Sequence, residues 1–135
     1  MTRLVIDATT LLQIVRSGQP MNPDHQLVAP VGVRSQALDL LLGEVKAGQI
    51  TAAQAAQLQD PITELKIRVL NDRVSRGQAL RIALEQNLDS VRNAEYIAVT
   101  RLQGDALIAG DPELAALAEP LVPLAPLSVL TNHVT

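Results

Sequence analysis

Short apolar runs alternate along this chain with longer segments in which apolar residues recur at helical spacing. The runs at residues 3–7, 27–29, 67–70 and 106–109 are short and contain many aliphatic residues, which is typical of buried strands. Strands that alternate with helices form parallel sheets covered by helices on both faces. We therefore expect an α/β fold of three layers, in which helices flank a short parallel sheet of four to five strands.

Helix caps and breakers set the expected bounds of the other elements. Side chains that can accept a hydrogen bond from a first helical turn precede several predicted helices: Thr51, Asn71 or Asp72, Asp89 or Ser90, and Asp111. The helix after Thr51 is expected to stop before Pro61, because the residue before a proline disfavours helical geometry. Residues 121–124 are the last expected strand, placed at a sheet edge because Pro123 cannot donate to a ladder.

Composition indicates one domain and excludes several classes of site. The 135 residues are 47% apolar, which is enough for one core, and Tyr96 is the only aromatic residue. We assign residues 1–124 to a single domain and residues 125–135 to a C-terminal tail. The absence of cysteine excludes disulfides and thiolate metal sites, and the shortage of aromatics disfavours base stacking on single strands. We find no signal peptide and no membrane-spanning run, so we expect a cytoplasmic protein.

The formal net charge of −3 is not that of a broad nucleic-acid-binding surface. Four arginines nevertheless lie close together in the sequence: Arg68, Arg73, Arg76 and Arg81. They form either a solvated helix face or a local basic rim.

Acidic residues follow two of the predicted strands. Asp7 ends the first apolar run, and Asp111 comes directly after the run that ends at Gly110. The carboxyl ends of parallel strands meet at one edge of a sheet, where open α/β sheets bind ligands. Carboxylates that cluster there repel each other unless a hard cation such as Mg²⁺ or Mn²⁺ lies between them. The pattern predicts a site assembled from distant segments, although Asp7 could be a structural acid and Asp111 a helix cap.

Four short segments of this sequence resemble the PIN domain of the VapC toxin type in their residues, their order and the spacing between them. They are LVIDAT at residues 4–9, LVAP with RSQAL at residues 27–38, NAEYIA at residues 93–98 and LIAGDPELA at residues 107–115. The resemblance covers about residues 3–124. It implies a metal-dependent ribonuclease fold, with its acidic pocket at the positions that are here Asp7, Gln36, Asn93 and Asp111.

The resemblance also implies a chemistry and a set of partners. In the family, a hydroxide activated by Mg²⁺ or Mn²⁺ attacks an RNA phosphodiester, and the metal screens the charge that builds up in the transition state. Members typically form homodimers and are inhibited by a small antitoxin protein. For this chain the implied cofactor is therefore Mg²⁺ or Mn²⁺, the implied substrate is RNA, and the implied protein partners are a second copy and an antitoxin.

Two acidic positions of that family are amides in this chain. Gln36 stands where the family has glutamate, Asn93 where it has aspartate, and Ala109 where it has threonine. Each missing charge removes ~4 kcal/mol of Coulomb attraction for a cation at ~4 Å, for an effective dielectric of ~20. We therefore expect metal binding and endoribonuclease activity to be weakened or lost.

Asp39 leaves an alternative open. It lies three residues after Gln36, on the same helix face, and could supply one of the missing charges. The metal ligands would then be Asp7, Asp39 and Asp111; otherwise Asp39 is a solvated helix residue. Glu95, two residues from Asn93, should point elsewhere. The rival to a weakened nuclease is a non-catalytic module that binds an antitoxin-like peptide or another PIN subunit.

Overall fold

Four β-strands and six α-helices alternate along residues 1–131, the part of the chain that this computed structural model describes. The elements in chain order are β1 (Thr2–Ile6), α1 (Ala8–Ser17), β2 (His25–Pro30), α2 (Val33–Lys46), α3 (Ala52–Glu64), β3 (Arg68–Leu70), α4 (Arg73–Glu85), α5 (Arg92–Gln103), β4 (Ala106–Ile108) and α6 (Pro112–Ala118), followed by a 3₁₀ helix (Leu127–Leu130). None of the helices in this part of the chain combines the length and apolarity needed to span a lipid bilayer.

The four strands form one sheet in the order β3-β2-β1-β4, and every pair is parallel. Leu4 in the central strand β1 pairs with Leu27 on one side and with Ala106 on the other. Leu4, Val5 and Ile6 are all buried, because helices cover both faces of the sheet. The predicted three-layer α/β fold is confirmed, and the carboxyl ends of all four strands lie at one edge.

The expected fifth strand is reduced to a single bridge beside β4. The N–H of Leu107 donates to Pro123 O at 2.9 Å, and the N–H of Ala125 donates to Leu107 O at 3.0 Å. Pro123 has no N–H, so it cannot donate the next hydrogen bond of the ladder on the amino side of this bridge. Residues 125–131, expected to begin a tail, pack onto the domain through the buried Leu130. Residues 132–135 of that tail lie outside the described residues.

The prediction that α3 stops before Pro61 is wrong, because the helix continues to Glu64. Ile62, just after the proline, is buried in the core, which favours the extra turn. The Arg34 side chain caps this turn from α2, donating to Ile62 O at 3.1 Å and to Leu65 O at 2.7 Å. A guanidinium at the end of a helix satisfies carbonyls that have no intrahelical donor.

The predicted helix caps are present at most positions. Thr51 forms a capping box with Gln54, while Asp72 and Asp111 accept hydrogen bonds from the first turns of α4 and α6. For α5, Ser90 Oγ accepts from Arg92 N at 3.1 Å, although the helix begins one residue later than a Ser90 cap would imply. These side chains fix the residues at which α3, α4 and α6 begin.

Candidate functional site

A cleft of about 660 Å³ opens at the carboxyl edge of the sheet. All the residues predicted for the site line it: Asp7, Gln36, Asp39, Asn93 and Asp111. They come from the β1–α1 junction, from α2, from α5 and from the loop after β4. The fold therefore brings together side chains that are up to about a hundred residues apart in the sequence.

Asp7 is buried, with only 3% of its surface exposed, and its carboxylate accepts three backbone hydrogen bonds. Oδ1 accepts from Thr10 N at 2.8 Å and from Gly110 N at 3.1 Å, while Oδ2 accepts from Asp111 N at 2.9 Å. The first bond makes Asp7 the N-cap of α1, and the other two tie this junction to the loop after β4. Three backbone N–H groups from two segments thus hold the Asp7 side chain in place.

The loop after β4 reaches Asp7 only because residue 110 is glycine. A Cβ at Gly110 would lie 2.9 Å from Thr9 Cγ2 and 3.0 Å from Thr10 N. The Thr10 hydroxyl also bonds this segment, donating to Ile108 O at 3.0 Å. Side chains at these distances would clash, so a bulkier residue at position 110 would push the loop away from the Asp7 carboxylate.

Asp111 has two roles in the structure. Its Oδ2 accepts from Leu114 N at 3.1 Å, and Pro112 occupies the first turn, so Asp111 is the N-cap of α6. Oδ1 accepts no hydrogen bond from any residue in the described part of the chain. Asp111 is partly exposed in the cleft, so one oxygen remains available to a ligand.

The amide oxygen of Gln36 is also engaged within the protein. The Tyr96 hydroxyl donates to Gln36 Oε1 at 2.6 Å. Burial, with the nearby carboxylates of Asp7 and Glu95, raises the pKa of the Tyr96 hydroxyl well above its ordinary value, so it stays protonated and remains a donor. Tyr96 is buried, with 2% of its surface exposed, and its hydrogen bond to Gln36 is not indicated by the sequence.

The cleft is acidic, and several of its charged residues were not predicted from the sequence. Asn93 is half-buried and its amide has no hydrogen-bond partner among residues 1–131, whereas Asp39 is exposed. Glu95 does not line the cleft, as expected. The charged side chains that line it are the carboxylates of Asp7, Asp39, Asp89, Asp111 and Glu113 and the guanidinium of Arg92.

These donors do not fit a tight site for a divalent cation. Within the described chain, no three acidic or histidine side chains are placed to share a metal ion, and the role of Asp39 as a ligand stays a prediction. Both Asp7 oxygens already accept backbone hydrogen bonds, and Gln36 Oε1 accepts from Tyr96. Mg²⁺ and Mn²⁺ require several convergent oxygen ligands, and the Asp7 and Gln36 oxygens are already engaged by donors of the protein itself.

No model of a known protein family matches the sequence, and no curated protein matches it significantly. Among solved structures, the chain is similar to the crystal structure of PAE2754 from Pyrobaculum aerophilum, with 20% sequence identity and a TM-score of 0.66. The similarity covers 91% of each chain. At this level of identity the similarity concerns the fold alone. This chain and the Pyrobaculum protein share one α/β architecture over nearly their whole lengths.

Proposed function

We propose that the protein is a cytoplasmic homologue of VapC-type PIN-domain toxin ribonucleases in which metal-dependent cleavage of RNA is weakened or lost. One observation carries this proposal. The four positions expected to hold acids come together in one cleft, and two of them, Gln36 and Asn93, are amides. The cleft lies where ligands bind in open α/β sheets, but its donor set lacks the charge that metal-assisted hydrolysis requires.

Electrostatics supports the weakened activity. The carboxylates that line the cleft repel an RNA phosphate unless a cation lies between them. Of the aspartates at the family positions, Asp7 is held by backbone N–H groups and Asp111 has one free oxygen. A cation bound there would be held mainly by water, and its affinity would be low.

Restoring the two acids tests this proposal. A labelled RNA is incubated in Mn²⁺ with the wild type, with Gln36→Glu/Asn93→Asp, and with that double variant carrying Asp111→Asn. We expect background cleavage by the wild type, a clear gain in the double variant, and loss of the gain in the triple variant. Asparagine caps helices as well as aspartate does, so the third change removes charge without removing the cap. Equal cleavage by the wild type and the double variant would contradict the proposal.

A binding module is the second candidate, and exposed leucines favour it. Leu38 and Leu42 on α2 are 42% and 52% exposed, and Leu80 and Leu84 on α4 are 54% and 73% exposed. Each pair lies four residues apart and so shares a helix face. Apolar side chains grouped on a surface are typical of protein interfaces, here with a second copy or an antitoxin-like peptide. Light scattering of the wild type and of Leu38→Ser/Leu42→Ser would detect a homodimer that depends on α2.

A further inference from the structure

A second, smaller groove of about 400 Å³ lies between α4 and α5. Its lining combines two arginines, one glutamate and one amide with apolar side chains: Gln78, Arg81, Ile82, Glu85, Arg101 and Leu102. The two guanidiniums reach it from different helices, Arg81 from α4 and Arg101 from α5. None of these residues lines the acidic cleft.

Arg81 and Arg101 have no structural role that the contacts reveal. Neither side chain makes a hydrogen bond or an ion pair with another residue in the range 1–131, although Glu85 lines the same groove. By contrast, Arg16 pairs with Glu44 at 2.6 Å, and Arg34 caps α3. The groove arginines therefore keep all their donors available to a ligand.

Positive charge is concentrated in the sequence segment that ends at Arg81, one of the two groove arginines. Residues 66–81 contain five basic residues and one acid, Asp72, in a chain whose net charge is −3: Lys66, Arg68, Arg73, Arg76 and Arg81. The acidic cleft repels phosphates, so any affinity for RNA must come from another part of the surface. A local basic surface on an acidic protein attracts a polyanion and holds it away from the carboxylates.

We propose that the α4–α5 groove binds a backbone phosphate of RNA, with Arg81 and Arg101 donating to its oxygens from two sides. The planar fork of a guanidinium matches a phosphate, and two arginines can bind different oxygens of the same group. The Gln78 amide lines the groove and adds a neutral donor. The choice of RNA as ligand rests on the proposed function, whereas the preference for an oxyanion rests on the arginines.

Fluorescence anisotropy with a labelled single-stranded RNA in EDTA tests this groove without any metal. The test variant is Arg81→Gln/Arg101→Gln. The control is Arg3→Gln/Lys46→Gln, which removes the same charge from exposed side chains outside the groove. We expect the groove variant to lose about tenfold or more in affinity. The slope of log K against log salt should become shallower by about 0.7, the contribution of one phosphate contact on a single strand. The control variant should change much less in both respects.

Two results would contradict the proposed phosphate site. One is that the wild type does not bind RNA, and the other is that the groove and control variants lose the same amount of RNA affinity. The second would mean that net charge alone governs the affinity. Circular dichroism verifies that each variant is folded. Failure here is separable from failure of the proposed function. Groove-dependent binding without cleavage by Gln36→Glu/Asn93→Asp overturns only the nuclease ancestry, whereas cleavage by that variant without groove-dependent binding overturns only the groove.

Discussion

The Tyr96 hydroxyl and the Gln36 side chain, sixty residues apart in sequence, are joined by a hydrogen bond of 2.6 Å. The hydroxyl donates, so the acceptor is the amide oxygen of Gln36. The nitrogen then lies over Gly32, where an added Cβ would be 3.3 Å from Nε2. The orientation of the amide in the cleft is thus set by a buried tyrosine on another helix.

Removing this hydrogen bond should destabilise the fold slightly. We expect Tyr96→Phe to lower the free energy of unfolding by about 1 kcal/mol, the usual net contribution of such a bond. Urea unfolding of Tyr96→Phe, Gln36→Ala and the double variant measures the coupling. We expect a coupling energy of about 1 kcal/mol. Strict additivity of the two single changes would contradict a direct interaction. In Gln36→Glu the coupling should be at least as large, because a charged acceptor strengthens the bond.

Asp7 and Asp111 should respond differently to the same substitution. Asp7→Asn would direct an amide NH₂ at backbone N–H groups that now face a carboxylate, leaving at least one buried donor unsatisfied. We expect a loss of about 1–3 kcal/mol in the free energy of unfolding. Asp111→Asn is the matched control and should cost less than about 0.5 kcal/mol, because asparagine is an equally good N-cap. If chemical denaturation gave the same loss in free energy of unfolding for both variants, the Asp7 hydrogen bonds would not be what stabilises the fold.

Gly110 and Gly43 offer a second matched pair. Gly110→Ala places a methyl group about 3 Å from Thr9 and Thr10, and we expect it to destabilise the protein by about 1–3 kcal/mol. Gly43 is exposed in the last turn of α2, with nothing within 4 Å of the added Cβ. Gly43→Ala should stabilise the protein by about 0.5–1 kcal/mol, since alanine favours helix. Thermal unfolding compares the two, and a neutral Gly110→Ala would mean that the loop does not need its close approach to α1.

Manganese affinity should rise when the two amides become acids. Each added charge is worth more than the ~1.4 kcal/mol of a tenfold change in affinity, so Gln36→Glu/Asn93→Asp should bind Mn²⁺ at least ~10-fold more tightly than the wild type in calorimetry. Without metal, the double variant should melt below the wild type, because close carboxylates repel. Mn²⁺ should then raise its melting temperature more than that of the wild type. Micromolar binding by the wild type would contradict a weakened site.

The stability of the wild type should fall with rising pH through the titration of Glu95. Burial raises the pKa of the Glu95 carboxyl above its ordinary value of 4.5, with Arg92 partly opposing the shift. The folded protein then holds this proton more tightly than the unfolded chain does. The penalty therefore begins as pH rises past the unfolded pKa and is complete above the folded pKa. Glu95→Gln should remove this fall and stabilise the protein at pH 7, as unfolding measured across pH 4–8 would show. Glu119→Gln, at an exposed glutamate, controls for the lost charge.

The fold was largely predictable because its signals are local. Apolar runs, caps such as Thr51 and the acids that follow β1 and β4 are read from neighbouring residues. Parallel topology then brings Asp7 and Asp111 to one edge of the sheet. The C-terminal end of α3 was predicted wrongly because it depends on Arg34, which lies 28 residues from the Ile62 carbonyl that it caps. The hydrogen bonds of Asp7 could not be predicted from the sequence either. Their donors are backbone N–H groups, which every residue except proline carries, so no residue type indicates them.

The three backbone hydrogen bonds of Asp7 have an evolutionary consequence. Because the first β-α unit and the loop after β4 are joined through this one carboxylate, natural selection for folding alone would retain an aspartate here. A lineage that abandoned its chemistry would then lose acids first at positions such as Gln36 and Asn93, where the fold makes no comparable demand. Under the proposed function, the aspartate at position 7 therefore reports on the architecture, whereas positions 36 and 93 report on the chemistry.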